Sequence, residues 1–398
     1  MNRRSFLGGA AAACLSGATG FGCSPERGAK PKIKQVSSYY LEAPRWKHIG
    51  KNASREDHGW LARDTLLRVE TNAGVEGIGP SRATREQAAA LVGKNPLELH
   101  QPGIGLVSPL GHRDAPLWDL VGKLLDAPVW RLLGGAGPEW VPVYESSFYF
   151  SDLDPAYAGR GIDRILEELD YSLARGHRAF KLKIGRGYQW MEREAGLRRD
   201  VEVVSAARRH LGPGIRLMVD ANDAYDLATA KRFLEQVDDD LFFVEKMFAE
   251  NVEQDLELKA WLRRRGRRTL LADGESVVDP TTYTPFIEGR ALDVLQPNIF
   301  ALGLRRLAEL SRVTAPTGIT LAPNNWESFF GFFLELNLGR GIPNFLMAEQ
   351  DPGVTDVVDV AGFELREGRC RVPDQPGCGW SVPIAELERS ARLNWRVS

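Results

Sequence analysis

Three apolar segments of strand length in the middle of the chain each end in an acidic residue. These acidic residues are Asp220, Glu245 and Glu275, and the spacings between them are 25 and 30 residues. Such a spacing is the length of one strand and one helix of a (β/α) barrel, whose strands carry functional side chains at their carboxyl ends. We therefore expect the three carboxylates to converge at one mouth of a barrel. Three oxygen ligands without histidine or cysteine suit Mg²⁺ or another hard divalent cation.

A strand-like segment upstream, at residues 180–185, carries Lys181 and Lys183. Side chains alternate between the two faces of a strand, so these two lysines must point the same way. Two ammonium groups on one inward face repel each other, and with partial loss of solvent this can lower a lysine pKa from about 10.4 towards neutrality. The pair therefore predicts a lysine that works as a base at ordinary pH.

Short apolar segments alternate with segments of helical period from about residue 141 to residue 350. This alternation is typical of a parallel sheet covered by helices. The first strand is expected at residues 141–144, and the strands after the three acidic ones are expected at residues 293–296, 318–321 and 345–348.

The chain before the barrel has the pattern of a small antiparallel sheet with helices. Residues 32–40 and 64–78 alternate in the manner of three strands, and residues 71–74 form a strong turn signal between the last two. Helical patterns follow at residues 84–92 and 115–125. The segment at residues 45–60 is polar and rich in charge, and it is predicted to be a long loop.

Four motifs in the barrel region have a specific order and spacing. They are Lys-x-Lys at 181–183, Val-Asp-Ala-Asn at 219–222, the fourth strand ending in Glu245, and Ala-Asp-Gly-Glu at 272–275. Together they resemble the mandelate racemase/muconate lactonizing branch of the enolase superfamily, and the resemblance extends over most of the chain. It implies an α/β fold with a modified TIM barrel, (β/α)7β, and an N-terminal α+β capping domain that the C-terminal segment completes.

The resemblance also implies the domain organisation. We expect the capping domain at residues 31–138 and the barrel with its metal site at residues 139–352. A hairpin and a short helix at residues 353–398 would then pack on the cap. Residues 1–30 would be a leader that precedes the folded part.

A role for each site residue follows from the same resemblance. Lys183 would be the base that removes the α-proton of a carboxylate substrate, and Lys181 would be the neighbour that lowers its pKa. Glu349, after the eighth strand, would bind the substrate carboxylate. The Mg²⁺ ligands would be Asp220, Glu245 and Glu275, and Asn222 would contact these ligands without binding the ion itself.

Four residues, at three places in the chain, depart from the family pattern. Asn298 stands where some members have an Asp or Lys after strand six, and Asn324 stands at the strand-seven position of an Asp-His dyad. An amide can orient a hydroxyl group but cannot take a proton, so racemisation by two opposed bases is not expected. Lys246 and Met247 follow Glu245 in place of the usual Glu-Pro, and Lys246 is either a further cation at the mouth or part of the helix layer.

The acid that would assist departure of a β-hydroxyl group is left open among His48, His58 and Tyr144. Both histidines belong to residues 45–60, and the corresponding loop of the resembling family closes over the mouth and selects the substrate. The alternative is that these histidines are solvated loop side chains.

The function expected from the resemblance is that of a Mg²⁺-dependent lyase, a dehydratase acting on a hydroxy-carboxylate such as a sugar acid. Lysine would remove the α-proton, and the metal would stabilise the resulting enediolate. One alternative is an isomerase, cycloisomerase or epimerase that uses the same enediolate. Another is a non-catalytic metal-binding barrel that has lost its second acid-base group. The partner would be a small carboxylate, and the family is often homo-oligomeric.

Charge and the amino-terminal residues add limits on partners and location. The chain has 51 basic and 53 acidic residues, so no overall charge attracts nucleic acid, and no apolar segment is long enough to span a bilayer. The segment around Arg3 and Arg4 resembles a twin-arginine export signal, which predicts a periplasmic or outer-surface location. Cys23 is either a lipid-anchor cysteine or an ordinary leader residue. Cys370 and Cys378 flank a predicted turn and form either a disulfide or two half-buried thiols.

Overall fold

The computed structural model describes residues 30–237 and 241–398, and the part from Pro31 to Ser398 forms one compact unit. The predicted export signal and Cys23 therefore lie outside the described residues. In the described part of the chain, no helix combines the length and the apolar character needed to cross a membrane.

The first part of the chain forms the antiparallel sheet that its alternating pattern predicts. Strands β1 (Ile33–Ile49), β2 (Gly59–Thr71) and β3 (Glu76–Pro80) pair in this order. At the predicted turn the amide of Gly74 donates a hydrogen bond to the carbonyl of Thr71, and Gly74 adopts a φ of 77° that favours glycine. The sheet is accompanied by short strands β4 (His100–Gln101) and β5 (Gly105–Leu106) and by helices α1 (Arg85–Ala89), α2 (Ala115–Leu124) and α3 (Val129–Leu132).

The polar segment at residues 45–60 is a loop only in its middle part, which corrects the sequence prediction. Strand β1 continues through Arg45 and Lys47, whose side chains are buried instead of solvated. Arg45 binds Asp351 through two hydrogen bonds of 3.1 and 2.7 Å, and Lys47 binds Glu168 at 2.5 Å. Because each buried charge has a buried partner of opposite charge, a strand can contain both.

Eight parallel strands form a closed barrel within the described residues, which confirms the predicted (β/α)7β fold. Strands β6 to β12 pair in sequence, β13 pairs with β6, and a bridge between Leu321 and Phe345 joins the last two. The strands are β6 (Trp140–Phe148), β7 (Ala179–Lys183), β8 (Arg216–Asp220), β9 (Phe243–Glu245), β10 (Leu270–Asp273), β11 (Val294–Leu295), β12 (Thr320–Leu321) and β13 (Ala348–Gln350). The helices that connect them are α4 (Ile162–Ala174), α5 (Arg193–Leu211), α6 (Leu227–Gln236), α7 (Val252–Arg264), α8 (Thr284–Gly289), α9 (Ile299–Thr314) and α10 (Phe329–Gly341).

Inward side chains of the barrel form an apolar layer with a polar layer above it. Each strand or its flanking residue gives one member of the apolar layer, namely Tyr144, Ala179, Met218, Phe243, Ala272, Val294, Ala322 and Met347. Because inward positions recur at every second residue, the next inward positions lie two residues further along. Seven of these are polar and form the polar layer, and the eighth is Gly274; the seven are Ser146, Lys181, Asp220, Glu245, Gln296, Asn324 and Glu349. The charged residues of the barrel interior therefore lie directly above an apolar layer, near the carboxyl ends of the strands.

The C-terminal segment completes both parts of the fold. Its hairpin consists of β14 (Glu364–Arg366) and β15 (Arg369–Arg371), and β15 pairs with barrel strand β6 and not with the cap. Helix α11 (Ile384–Ser390) follows, and then β16 (Arg392–Val397) pairs antiparallel with β1. The hairpin and the helix were predicted, whereas the final strand was not.

Cys370 and Cys378 are two free, buried thiols, so the thiol alternative holds in the structure. Cys370 lies on β15, and Cys378 lies beside α2, where its amide donates to the Asp119 carboxylate at 2.9 Å. Burial raises the pKa of Cys370 to about 12 and that of Cys378 well above its ordinary value. Neither thiol is therefore a reactive thiolate near neutral pH.

Asp64 on β2 joins the cap to the start of helix α10. Its carboxylate is fully buried and accepts hydrogen bonds from the Ser328 hydroxyl and, at 3.0 Å, from the Phe329 amide. Burial outweighs these bonds and raises the pKa of Asp64 to about 6. Protonation of Asp64 therefore contributes to the free energy of unfolding. This contribution is fully present below the ordinary pKa of 3.8, and it is lost as pH rises through about 6.

We expect Asp64→Asn to remove this pH dependence. A pKa shift of about two units corresponds to about 3 kcal/mol. As pH rises from about 4 to about 7, the free energy of unfolding of the variant should therefore increase by about that much relative to that of the wild type. Urea unfolding at several pH values measures the difference. The exposed Asp57→Asn variant is the control, and a stability difference between the wild type and Asp64→Asn that stays constant with pH would contradict the assignment.

Candidate active site

A cavity of about 800 Å³ lies at the carboxyl ends of the barrel strands, a size typical of small-molecule sites. Barrel and cap residues both line it. From the barrel come Lys183, Asn222, Lys246, Glu275, Asn298, Asn324 and Glu349, and from the first 115 residues come Asn52, Arg55, His58, Arg82 and Arg113 among others.

The two lysines of β7 point to the same side of the strand, as the alternation rule predicts. The Lys181 ammonium lies 2.7 Å from Glu245, 3.0 Å from Glu349 and 3.9 Å from Asp220. The Lys183 ammonium donates a hydrogen bond to Asp220. Lys183 lines the cavity, whereas Lys181 lies in the polar layer below and is only 1% exposed.

The pKa of Lys181 is raised by the carboxylates around its ammonium. Burial alone would lower this pKa, but Glu245 and Glu349 outweigh burial and raise it well above its ordinary value. The sequence analysis considered repulsion between the two amines and partial loss of solvent, whereas in the structure each amine also has carboxylate partners. Lys181 therefore stays charged and holds these carboxylates in place.

Asp220 and Glu245 are neighbours in register on β8 and β9. Burial would raise the pKa of Asp220, but Lys183 and Lys181 outweigh it and lower the pKa to about 2. At Glu245 burial and the charge of Asp220 outweigh Lys181 and raise the pKa to about 8. The Glu245 Oε1 atom is buried and accepts no hydrogen bond from any described residue. This unpartnered oxygen beside a second carboxylate fits a bound cation.

Glu275 is the third predicted metal ligand, and the structure places it with Lys246. Gly274, with a φ of 117°, turns the chain before Glu275 out of the strand direction. Lys246 donates to Glu275 Oε1 at 2.8 Å, and Asn324 donates to Oε2 at 2.9 Å. Among the described residues no three histidine, cysteine or acidic side chains form a metal-binding group. The structure thus brings two of the three carboxylates together, and the complete ligand set stays a prediction.

The predicted asparagines support the acidic residues. The backbone amide of Asn222 donates to Asp220 at 2.8 Å and its side chain donates at 3.3 Å. Asn298 donates to Asn324 at 2.9 Å, and Asn324 donates onward to Glu275. Asn298 also caps α9 by accepting from the first amides of the helix. These amides orient the site, and none of them can act as a base.

His58 is the candidate acid that lines the cavity. Its ring packs on Tyr149 with 5.0 Å between centroids, and Trp326 donates to His58 Nδ1 at 3.1 Å. A carboxylate oxygen of Glu327 lies 3.6 Å from the same nitrogen. The other nitrogen, Nε2, is buried and has no hydrogen-bond partner among the described residues. His58 therefore has a free ring nitrogen for a ligand.

His48 and Tyr144, the other two candidate acids, are not among the residues that line the cavity, so the structure does not support this role for them. His48 Nδ1 lies 3.0 Å from Asp154, which indicates a structural contact. Tyr144 belongs to the apolar layer, and the Lys181 ammonium lies 5.3 Å above its ring. Burial raises the pKa of Tyr144 well above its ordinary value. Tyr144 thus lies one layer below the residues that line the cavity.

The sequence analysis missed several residues of the site. Gln296 donates to Glu245 at 2.7 Å, and its position two residues after inward-facing Val294 could have identified it. Tyr149 lies at the end of the first barrel strand, beside the Lys183 ammonium at 5.3 Å from its ring centroid. Trp326 and Tyr149 stack at 5.0 Å. No spacing rule indicates that two distant aromatic residues would form one wall.

Comparison with known proteins gives the family. A family model described as "Enolase C-terminal domain-like" matches residues 164–386. The chain is 31% identical over 302 residues to 3,6-anhydro-alpha-L-galactonate cycloisomerase of Streptomyces coelicolor, covering 74% of this chain and 75% of that one. It is 25% identical over 356 residues to D-xylonate dehydratase of Haloferax volcanii, covering 81% and 84%.

Solved structures give the same result. Galacturonate dehydratase from a Geobacillus species, in complex with D-galacturonate and 5-keto-4-deoxy-D-galacturonate, superposes with a TM-score of 0.84 at 29% identity, covering 93% of this chain and 99% of that one. A mandelate racemase/muconate lactonizing protein from Geobacillus, complexed with magnesium and tartrate, superposes with a TM-score of 0.85 at 29% identity, covering 92% and 97%. This chain therefore belongs to the enolase superfamily, in its mandelate racemase/muconate lactonizing branch.

Proposed function

We propose that this protein is a Mg²⁺-dependent dehydratase that removes water from a sugar acid. The observation that carries the proposal is that the Lys183 amine and the His58 ring line one cavity and both pack against Tyr149. A base and an acid are thus available to the same small molecule. The substrate class is supported by relatives that are dehydratases and cycloisomerases of sugar acids.

Asp220 and Glu245, with Glu275 once Lys246 releases it, would hold the Mg²⁺ ion. The unpartnered Glu245 Oε1 and the all-carboxylate donor set fit this ion. When bound, Mg²⁺ supplies positive charge beside the substrate carboxylate, which favours loss of the neighbouring α-proton.

Lys183 takes the α-proton on Nζ as a neutral amine, and the electrons of the C–H bond form a new carbon–carbon double bond. Lys181 acts below it as a positioning residue, because its ammonium holds Glu245 and Glu349 in place. Glu349 lines the cavity and is fixed by the Asn325 amide at 2.8 Å, so it is placed to orient the substrate.

His58 gives a proton from Nε2 to the departing β-hydroxyl group, which leaves as water. The product is an enol that becomes a 2-keto acid, so that one C–H bond and one C–O bond break in each turnover. Burial lowers the pKa of His58, so the charged ring gives up its proton more readily. In the charged ring, Nδ1 donates a hydrogen bond to the Glu327 carboxylate. In the neutral ring Nδ1 accepts from Trp326 instead.

A cycloisomerase is the second candidate, because the 31% identical relative has that activity. The test is incubation of the Mg²⁺-loaded protein with a panel of sugar acids in D₂O. Formation of a 2-keto acid that requires Lys183 supports the dehydratase. Rearranged product or α-deuterium incorporation without keto acid supports the isomerase, and no change across the panel favours a binding protein.

We expect His58→Gln to separate the two proton transfers. Loss of the acid should lower the rate of dehydration by about 10²-fold or more, whereas α-proton exchange with D₂O should persist because Lys183 is intact. Keto-acid formation and exchange are measured on the same sample. His48→Gln, outside the cavity lining, should behave like the wild type, and parallel loss of both reactions in His58→Gln would exclude the acid role.

A further inference from the structure

Lys246 occupies an unusual position directly after the predicted metal ligand Glu245. It adopts a φ of 43°, a left-handed conformation that is strained for a residue other than glycine. Its side chain is 8% exposed, and its ammonium lies 2.8 Å from Glu275 and 3.2 Å from Asp223. The strained backbone thus places the buried Lys246 ammonium against the carboxylates of Glu275 and Asp223, both of which line the cavity.

The charge of Lys246 is maintained by these neighbours. Burial alone would lower the pKa of Lys246, but Glu275 and Asp223 outweigh burial and raise it above its ordinary value. The ammonium thus forms ion pairs with two carboxylates at the edge of the site. It reaches the cavity, which answers the question that the sequence left open between the mouth and the helix layer.

Both carboxylate oxygens of Glu275 already have a hydrogen-bond partner in this structure. Lys246 binds Oε1 and Asn324 binds Oε2. The positive charge of Lys246 therefore lies directly against one of the three carboxylates that are predicted to hold the ion.

We propose that Lys246 is a tethered cation that competes with Mg²⁺ for Glu275. Metal binding then requires the ammonium to leave Glu275, and Asp223 is already in contact to receive it. The Asp223 Oδ1 atom is buried and accepts no hydrogen bond from any described residue, so it has capacity for a further donor. The contact between Lys246 and Glu275 neutralises the Glu275 carboxylate when no metal is bound. It also makes Mg²⁺ binding weaker and more readily reversible.

The inference rests on the proposed Mg²⁺ site, and binding measurements test it without any substrate. Lys246→Met removes the charge but keeps the length of the side chain. We expect its Mg²⁺ dissociation constant, measured by calorimetry, to fall at least about tenfold relative to the wild type. We also expect the metal-free variant to melt at a lower temperature, because Glu275 and Asp223 lose their cation, and to gain more from added MgCl₂.

Lys259→Met is the matched control. Lys259 is buried to a similar degree and binds Asp293 at 2.7 Å and the Arg290 carbonyl at 2.8 Å, but it does not line the cavity. Its loss should lower stability and leave the Mg²⁺ affinity unchanged. Lys246→Arg, which keeps the charge, should bind Mg²⁺ no more tightly than the wild type.

The proposal is overturned if Lys246→Met and the wild type bind Mg²⁺ equally, if neither binds it, or if Lys259→Met shows the same gain. Should Lys246→Met fail to fold, Lys246→Gln provides the same comparison with a neutral polar side chain. If Lys246→Met binds Mg²⁺ more tightly but the wild type turns over no sugar acid, the proposed function is contradicted and this inference stands.

Discussion

Replacing Lys183 by alanine is expected to lower turnover by about 10³-fold to 10⁴-fold, the upper part of the range for a general base. Lys183 is the amine of the β7 pair that lines the cavity, and Lys181 cannot replace it because its ammonium is held by Glu245 and Glu349. The measurement is the initial rate of keto-acid formation at saturating substrate, together with α-proton exchange in D₂O. Both reactions should be lost.

The control for Lys183→Ala is Lys51→Ala, which removes a partly exposed lysine that is paired with Glu56. That variant should keep its activity. Mg²⁺ binding should be retained in Lys183→Ala, because Asp220 loses an ammonium and keeps its bonds from Asn222. Wild-type exchange in a folded Lys183→Ala protein would assign the base to another group.

Replacing Arg45 by methionine is expected to destabilise the fold by about 3 to 5 kcal/mol. The Arg45 side chain and its Asp351 partner are both fully buried, and the pair joins strand β1 of the cap to the residue just after strand β13 of the barrel. Arg45 also donates to the Leu61 carbonyl at 2.8 Å. Its loss leaves a buried carboxylate without a cation, and urea unfolding measures the cost.

Arg63→Met is the comparison for Arg45→Met, because Arg63 binds Glu42 at 3.4 Å with both side chains nearly half exposed. Exposed pairs of this kind contribute about 0 to 1 kcal/mol. The double change Arg45→Met and Asp351→Asn should recover part of the loss, since it removes the stranded charge. An equal, small effect of both single changes would show that the buried pair does not hold the cap on the barrel.

The barrel and much of the polar layer could be predicted from sequence because they follow local rules. Asp220, Glu245 and the two lysines stand at strand ends, where the alternation of inward and outward positions is visible in the chain. The same alternation explains the position of Tyr144, which does not line the cavity. It lies in phase with the inward positions but two residues too early on its strand, and so it belongs to the apolar layer.

The features that sequence did not predict depend on contacts between distant residues. Arg45 and Asp351 are 306 positions apart, and Lys47 and Glu168 are 121 positions apart, so nothing near β1 indicates that its polar residues are neutralised. The separation of Glu275 from the other two carboxylates depends on the turn at Gly274 and on the aim of Lys246. Backbone angles of single residues are not encoded in hydrophobic periodicity.

The pairing of β16 with β1 has a consequence for the order in which the protein can fold. Strand β1 leaves the ribosome before the other described strands, but one side of it has no partner among them until β16 is made, after the whole barrel has been translated. During that interval the nascent chain exposes free backbone amides and carbonyls, which other chains can pair with. Biogenesis of this protein therefore depends on keeping one strand protected for almost the full time of its translation.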